Sequence, residues 1–339
     1  MPTQVVVEQF ASRVLADNPL GDPATRALPI ILPPDYASND ESSGKRYPVI
    51  YGLTGFTGSG PMMLNVSGWQ PNLQQRIDRL MVEGKLAPAI YVLPDCFTRY
   101  GGSQYLNSTA IGRYEDYVID EIVPHIDRTY RTIAGPEGRG VFGKSSGGYG
   151  AIMFGLRHAD VFGAVACHSG DMAFDLCYRF DFPKFASAVQ KAGGVEQWLN
   201  EFEHKIKIEG RDIEAMNILA MAAAYSPNPL AQPLPIDFPF DLETCELKPD
   251  VWAHWLEFDP VQLVDRYADN LKQLRLLFID CGSRDEFNLQ FGARIFVKKL
   301  KALGVPHEYE EFDDGHMNIP YRYDVSLPKI VSALQPASA

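Results

Sequence analysis

A short apolar run leads into a glycine-rich turn in the stretch VFGKSSGGYG, residues 141–150. An apolar run, a Gly-x-Ser-x-Gly turn and a helix-like segment in this order are typical of a strand-to-helix turn that raises a serine hydroxyl above the edge of a sheet. Such a turn crowds the backbone around the serine, and Gly143 and Gly147 remove the Cβ atoms that would clash there. The stretch therefore predicts an α/β fold with Ser145 as a nucleophile.

The same stretch fits a second motif. Residues 138–145 are GRGVFGKS, which matches the Gly-x-x-x-x-Gly-Lys-Ser pattern of a phosphate-binding P-loop. A P-loop needs a buried strand before its first glycine, but residues 132–137, TIAGPE, are a poor strand because they contain glycine and proline. The glycines after Ser145 would also weaken the first turn of a phosphate-binding helix. The nucleophile turn is the preferred interpretation, and a nucleotide-binding module is the alternative.

An acid and a histidine follow the serine in the order that enzymes with such a turn use, each after its own strand. Residues 274–282 predict a buried strand, and Asp285 lies in the loop after it. Residues 306–312 predict the next strand, which is followed by His316. His316 would take the proton from Ser145, and Asp285 would hold the imidazole in the required tautomer. His168 is a second candidate, but it comes too early in the chain to be the base.

A glycine-rich loop, TGFTGSG at residues 54–60, follows the third predicted strand. Enzymes with a serine at such a turn supply their second oxyanion donor from this position. We assign the oxyanion hole to the backbone N–H groups of Phe56 and Ser146. The alternative for the loop alone is an ordinary connection between a strand and a helix.

Composition excludes several classes of partner. The net charge of −12 argues against nucleic acid and against an anionic membrane surface, which both require a basic protein. No stretch approaches the roughly 20 apolar residues of a membrane helix, and no signal peptide is visible, so we predict a cytoplasmic protein. The five cysteines are scattered, and their spacing indicates neither a disulfide framework nor a zinc site. No metal or cofactor is predicted.

Apolar runs alternate with helix-like segments along the rest of the chain. Continuous apolar runs are expected in a mostly parallel sheet that is covered by helices on both faces. The predicted strands are residues 5–15, 27–32, 47–53, 87–93, 160–167, 274–282 and 306–312, and the predicted helices are residues 70–83 and 114–130.

Residues 172–258 interrupt this alternation. They contain two helix-like segments, 184–206 and 212–224, a proline-rich stretch and three of the four tryptophans. We predict a core formed by residues 1–171 and 259–339, with 172–258 as an inserted cap over Ser145. The substrate-binding candidates are Tyr100, Tyr105, His168, Trp252 and Trp255. The alternative for residues 172–258 is a structural extension that packs on the core or forms a homo-oligomer contact.

Several short motifs occur together: LPPDY (32–36), RYPV (46–49), LTGF (53–56), GGS (101–103), NS (107–108), GKSSGG (143–148), GSRDEF (282–287) and GH (315–316). With them the chain resembles the esterase D-like putative esterases, an α/β-hydrolase group that includes S-formylglutathione hydrolase, enterochelin esterases, feruloyl and acetyl xylan esterases and mycolyltransferases. The resemblance covers residues 26–171 and 259–330. Two residues depart from it, since Thr54 replaces a frequent histidine and Lys144 replaces the usual histidine or glutamine.

The resemblance implies an α/β-hydrolase fold and a serine carboxylester hydrolase that forms an acyl-enzyme, with Ser145, Asp285 and His316 as its triad and no cofactor. A thioesterase like S-formylglutathione hydrolase, or an acyltransferase, would use the same triad. A binding protein on an inactive hydrolase fold is disfavoured because all three residue types are present. We expect a small-molecule ester as substrate, whose acyl and alcohol groups depend on the shape of the pocket.

Overall fold

The computed structural model describes residues 2–37 and 44–334. Its strands are β1 (Gln4–Ala11), β2 (Thr25–Leu32), β3 (Val49–Leu53), β4 (Ile90–Val92), β5 (Asn107–Ser108), β6 (Gly112–Arg113), β7 (Arg139–Lys144), β8 (Ala164–His168), β9 (Leu276–Gly282) and β10 (Glu308–Phe312). In this part of the chain, β5 and β6 pair with each other, and the other eight strands form one sheet in the order β1-β2-β4-β3-β7-β8-β9-β10.

The sheet is antiparallel at one side and parallel over the rest. β2 runs antiparallel to β1 and β4, whereas all neighbours from β4 to β10 run parallel. Every residue of β3, β8 and β9 is buried, as expected for parallel strands that are covered on both faces. The edge strand β10 carries Glu308, Glu310 and Glu311, whose charges oppose pairing with another chain. The predicted mostly parallel sheet is confirmed.

Helices cover both faces of the sheet. They are α1 (Leu73–Val82), α2 (Tyr114–Asp116), α3 (Val123–Thr129), α4 (Ser146–Arg157), α5 (Phe174–Cys177), α6 (Phe182–Ala192), α7 (Val195–Glu203), α8 (Gly210–Tyr225), α9 (Pro249–Leu256), α10 (Pro260–Gln273), α11 (Leu289–Ala302) and α12 (Tyr323–Leu334). α1 and α12 pack on the face that includes Phe142 and Phe278, and α4, α10 and α11 pack on the face that includes Val141 and Val165. None of the described helices has the length and apolar character needed to cross a membrane.

Two predicted helices are interrupted, and the sequence contains the reason for each. The helix predicted over residues 114–130 consists of α2, a π-helical segment at Tyr117–Ile122 and α3, which has Pro124 in its first turn. Proline lacks the N–H that a continuous helix requires. The helix predicted over residues 184–206 is split into α6 and α7, because Gly193 adopts φ 88° and ends α6.

Two predicted strands are shorter in the structure. The strand predicted over residues 87–93 is confined to β4, since Pro88 has no N–H to donate to a neighbouring strand. The first strand ends at Ala11 instead of residue 15, because the following residues bond to Glu121. The Ser12 hydroxyl and the Arg13 N–H both donate to the Glu121 carboxylate, at 2.5 and 3.0 Å.

Residues 172–258 lie between β8 and β9 and include α5 to α9. Their aromatic side chains pack on one another, with ring centroids 4.3 Å apart for Phe182 and Phe240 and 5.3 Å apart for Tyr225 and Trp255. These residues belong to the same buried apolar cluster as Val141 and Val165 of the sheet. The segment therefore shares a continuous core with the sheet.

Candidate active site

Ser145 forms the turn between β7 and α4. β7 ends at Lys144 and α4 begins at Ser146. The Ser145 backbone adopts φ 58° and ψ −127°, a conformation that is strained for a residue with a side chain. Its N–H donates to the carbonyl of His168 at 3.0 Å, and its carbonyl accepts from the N–H of Tyr149 at 2.8 Å. The strained conformation is thus held by hydrogen bonds to β8 and within α4.

Two glycines allow this turn to pack against β3. A Cβ atom on Gly143 would lie 2.3 Å from the carbonyl oxygen of Gly147. A Cβ atom on Gly147 would lie 2.2 Å from the carbonyl oxygen of Leu53. Because the opposing atoms belong to the backbone, no change of side-chain rotamer relieves either contact. This agrees with the steric role that the sequence predicts for both glycines.

The P-loop interpretation of the same residues is wrong. The residues that would wrap around a phosphate form β7, and five of its six residues are buried within the sheet. The strand pairs with β3 on one side and β8 on the other, so its N–H groups donate hydrogen bonds to these neighbouring strands. A P-loop would leave these N–H groups free to bind phosphate.

His316 and Asp285 form a buried hydrogen-bonded pair. His316 Nδ1 lies 2.7 Å from Asp285 Oδ2, and both residues are only 3% exposed. The backbone N–H of Phe287 donates to Asp285 Oδ1 at 2.9 Å, and the N–H of His316 donates to the Glu286 carboxylate at 2.6 Å. With Nδ1 donating to the carboxylate, Nε2 is left as the proton acceptor of a neutral imidazole.

Ser145 and His316 border the same cavity, which has a volume of about 340 Å³. The loop after β3 forms one wall, and it passes so close to the turn that a Cβ on Gly55 would lie 3.9 Å from Ser145 Oγ. Both residues assigned to the oxyanion hole, Phe56 and Ser146, also line this cavity. The remaining lining residues are Gly55, Thr57, Lys144, Asp171, Cys177, Tyr178, Asp181, Gly210, Ile213, Glu214, Asn217, Phe287, Leu289 and Met317.

A second serine, histidine and aspartate are hydrogen-bonded in the core. His168 Nε2 lies 2.8 Å from Ser326 Oγ, and His168 Nδ1 lies 2.7 Å from Asp280 Oδ1. All three residues have an exposed fraction of 0%, and Asp280 Oδ2 also accepts from Arg322 at 2.7 Å. No substrate reaches a serine that is fully buried. This cluster joins α12 to β8 and β9, and His168 therefore lies outside the cavity that Ser145 borders.

The family of this chain follows from its sequence similarity to known proteins. A family model described as putative esterase matches residues 24–334. The chain belongs to the putative esterase family. Among curated proteins, Esterase MT1326 of Mycobacterium tuberculosis strain CDC 1551 / Oshkosh and Esterase Rv1288 of strain ATCC 25618 / H37Rv are each 26% identical to it over 317 residues. Each alignment covers 91% of this chain and 56% of the relative, so the chain spans about half the length of these curated relatives.

Solved structures resemble this member of the putative esterase family over nearly its whole length. A ferulic acid esterase has a TM-score of 0.63 at 22% identity, with 98% of this chain and 100% of the other covered. An S-formylglutathione hydrolase, FrmB from Staphylococcus aureus, has a TM-score of 0.60 at 16% identity, with 99% and 100% covered. These similarities confirm the predicted α/β-hydrolase fold.

The structure contradicts Trp252 and Trp255 as substrate-binding residues. Trp255 has no exposed surface, and its indole N–H donates to Ser226 Oγ at 2.8 Å. Trp252 is 5% exposed and packs on Phe182, with 5.7 Å between ring centroids. Neither tryptophan is among the described residues that line the cavity. Both instead form the apolar core of residues 172–258, because large aromatic side chains are the main material from which such a core is built.

Tyr100 and Tyr105 are also buried, at 4% and 3% exposed, and neither is among the described lining residues. The Tyr105 hydroxyl donates to the carbonyl of Thr54 at 2.7 Å and so holds the loop that carries Phe56. The ring also occupies the space beside α4, where a Cβ on Gly150 would approach it to 2.5 Å. Tyr105 therefore supports the site from behind, and neither tyrosine is part of the described cavity surface.

Sequence reasoning did not identify Asp171 as a site residue. It lines the cavity, and one of its carboxylate oxygens accepts from the Gln104 amide at 3.1 Å and from the Tyr178 hydroxyl at 2.9 Å. Burial raises the pKa of Asp171, and these two hydrogen bonds oppose the rise. The available signal was its place three residues beyond the end of β8, at the same sheet edge as Ser145. Within the described residues, no group of three or more His, Cys, Asp or Glu could hold a metal ion.

Proposed function

We propose that this chain is a serine carboxylester hydrolase that acts through an acyl-enzyme. The observation that carries the proposal is that Ser145, at a strained strand-to-helix turn, and His316, bonded to Asp285, border one cavity. The match to the putative esterase family supports this chemistry. A strained turn maintained by two obligatory glycines is consistent with a functional constraint on the serine.

In the proposed reaction, Ser145 Oγ attacks the ester carbonyl while His316 Nε2 accepts the hydroxyl proton. Asp285 holds the imidazole in the required tautomer and stabilises its protonated form. The bond between the carbonyl carbon and the alcohol oxygen then breaks, and His316 returns the proton to the departing alkoxide. Water attacks the acyl-enzyme with His316 again as the base, which releases the acid and regenerates Ser145.

Two backbone N–H groups are proposed to stabilise the oxyanion. Ser146 is the first residue of α4, so its N–H has no acceptor within the helix and carries the positive end of the helix dipole. Phe56 lies in the loop that faces the turn, and this loop is fixed because Thr57 and Gly58 donate their N–H groups to Gly101 and Gly55 at 2.8 and 3.0 Å. Donors fixed in this way need no rearrangement when negative charge develops.

Residues 172–258 are proposed to act as a cap that selects substrates. Support comes from Tyr178, Ile213 and Asn217, which belong to this segment and line the same cavity as Ser145. The division of the chain into a core of 1–171 and 259–339 with an inserted cap is part of this proposal. The apolar Ile213 and the ring of Phe287 would contact the acyl or alcohol group.

Labelling with a fluorophosphonate tests the proposed function directly. Ser145→Ala should abolish covalent labelling and lower kcat for 4-nitrophenyl esters by on the order of 10⁴-fold, because no other group replaces the nucleophile. Ser326→Ala is the matched control, since Ser326 also bonds to a histidine but is fully buried. The control should label normally. Labelling that persists in Ser145→Ala would contradict the assignment, and a parallel series of thioesters distinguishes an esterase from a thioesterase.

A further inference from the structure

Lys144, the residue before Ser145, lies between two cavities. It lines the cavity of Ser145 and a neighbouring cavity of about 420 Å³, which we call the second cavity. The two cavities also share Gly55, Phe56 and Thr57, so they meet at the loop that faces the turn. A substrate bound at Ser145 could therefore extend past Lys144 into the second cavity.

Lys144 is half-buried, and its ammonium makes no hydrogen bond or ion pair with any residue of the described ranges. Burial lowers its pKa, while Asp285, Glu286 and Asp171 oppose the effect at a distance. Those carboxylates already accept hydrogen bonds from other donors, which include His316 for Asp285 and Glu286. A charge that is removed from water is ordinarily paired, so an unpaired ammonium in a cavity is a candidate ligand-binding group.

The second cavity contains one further charged residue, Arg76, among its described lining residues. Arg76 is 6% exposed, and its Nε has no hydrogen-bond partner among the residues that the structure describes. Its guanidinium contacts Asp324 at 3.3 Å, but Asp324 is closer to Arg79, at 2.6 Å. The other lining residues are neutral. With Asp324 offsetting part of the positive charge, the second cavity suits a group with a single negative charge.

Among the described lining residues, the second cavity has no acidic side chain, whereas the Ser145 cavity has three. Asp171, Asp181 and Glu214 lie there, and Lys184 pairs with the last two, at 2.7 and 3.1 Å. An anionic group would be repelled from Asp171 and attracted toward Lys144 and Arg76. The distribution of charge therefore gives a substrate a preferred orientation across the two cavities.

We propose that the second cavity binds a carboxylate of the substrate, with Lys144 and Arg76 as its contacts, and that the preferred substrates are esters that bear a carboxylate away from the reacting carbonyl. This inference rests on the proposed function, because it names the substrate class of the same site. The carboxylate can belong to the acyl group or to the alcohol of the ester. Two pairs of substrates, one for each position, determine which of the two the second cavity binds.

The acyl pair is 4-nitrophenyl hydrogen glutarate and its neutral methyl ester, and the alcohol pair is 4-acetoxybenzoate and its methyl ester. In the pair whose carboxylate reaches the second cavity, kcat/KM of the anionic ester should exceed that of its neutral methyl ester by on the order of 10-fold. A charge-assisted hydrogen bond stabilises a bound anion by about this factor. Lys144→Met should reduce that ratio to about one, whereas Lys144→Arg should keep it above one. Arg76→Met should lower the ratio, whereas Arg79→Met, which also loses a contact to Asp324 but lies outside the second cavity, should not.

A binding experiment separates failure of this inference from failure of the proposed function. Ser145→Ala protein is titrated with monomethyl glutarate by calorimetry, with and without the additional Lys144→Met change. Binding that depends on Lys144 supports the anion site even without hydrolysis. If neutral and anionic esters are hydrolysed equally in both pairs, or if Lys144→Met slows both members of a pair to the same extent, the anion site is refuted and the hydrolase proposal is unaffected. Absence of both ester hydrolysis and fluorophosphonate labelling instead refutes the proposed function.

Discussion

Two buried histidines have nearly identical partners but differ in their access to a cavity. His168 and His316 each bond to an aspartate through Nδ1 at 2.7 Å. His168 has no exposed surface, and its second nitrogen is occupied by Ser326. His316 instead borders the same cavity as Ser145. Hydrogen-bond geometry alone would thus favour His168 as the base, whereas access to the cavity of Ser145 favours His316.

Exchange of each aspartate for asparagine tests this distinction. Asp285→Asn should lower kcat by on the order of 10⁴-fold with little change in stability, because the amide favours the wrong imidazole tautomer. Asp280→Asn should keep most of the activity per folded molecule but lower the free energy of unfolding by about 3–5 kcal/mol, because it leaves Arg322 without its buried partner. Steady-state kinetics and urea unfolding of both variants provide the measurements. An equal loss of kcat in both would transfer the role of the acid to Asp280.

That Ser145 and the bonded pair of Asp285 and His316 border one cavity was predictable, because each of these residues follows a recognisable strand. Ser145 has a local motif, and Asp285 and His316 each lie just beyond a buried or half-buried strand. The aromatic candidates had no comparable signal. A tryptophan in a core and a tryptophan in a pocket have the same residue type and the same apolar neighbours, so the sequence did not show that Trp255 is fully buried. The sequence did not identify Asp171 as a cavity residue, because the cavity is formed by segments that lie far apart in the chain.

At the level of elements, local breaks were the main source of error. Pro124 and the pair Gly193 and Gly194 were visible in the sequence, but the apolar periodicity continued across them. The parallel strands were more predictable than the helices, since a strand buried on both faces is apolar throughout. β8 and β9 were therefore located correctly to within a few residues at their starts.

Two variants in residues 172–258 separate packing from substrate contact. Trp255→Ala should lower the free energy of unfolding by about 3–5 kcal/mol, because it opens a cavity in the core of this segment. It should leave the ratio of kcat/KM between 4-nitrophenyl butyrate and a bulky aromatic ester unchanged. Ile213→Ala should change that ratio with little loss of stability, since Ile213 lines the cavity and is 40% exposed. If Trp255→Ala alters the ratio and Ile213→Ala does not, the assignment of the lining residues is incorrect.

The whole molecule should unfold as one unit. The apolar side chains of residues 172–258 and of the sheet form one buried cluster, so neither can be exposed without disturbing the other. Three of the four tryptophans lie in this segment, and the fourth, Trp69, is fully exposed. Tryptophan fluorescence therefore reports on the segment, while circular dichroism reports on all helices and strands. The two unfolding curves should coincide, and an earlier fluorescence transition would show that the segment is an independent domain.

The order of the site residues along the chain has a consequence for protein synthesis. The turn with Ser145 needs β3, β7, β8 and α4, all of which precede residues 172–258. Asp285 and His316 follow β9 and β10, which leave the ribosome much later. A chain still attached to the ribosome therefore contains the proposed nucleophile before it contains the acid and the base. Without His316 to accept its proton, Ser145 should not react with esters until the last strand of the sheet has been synthesised.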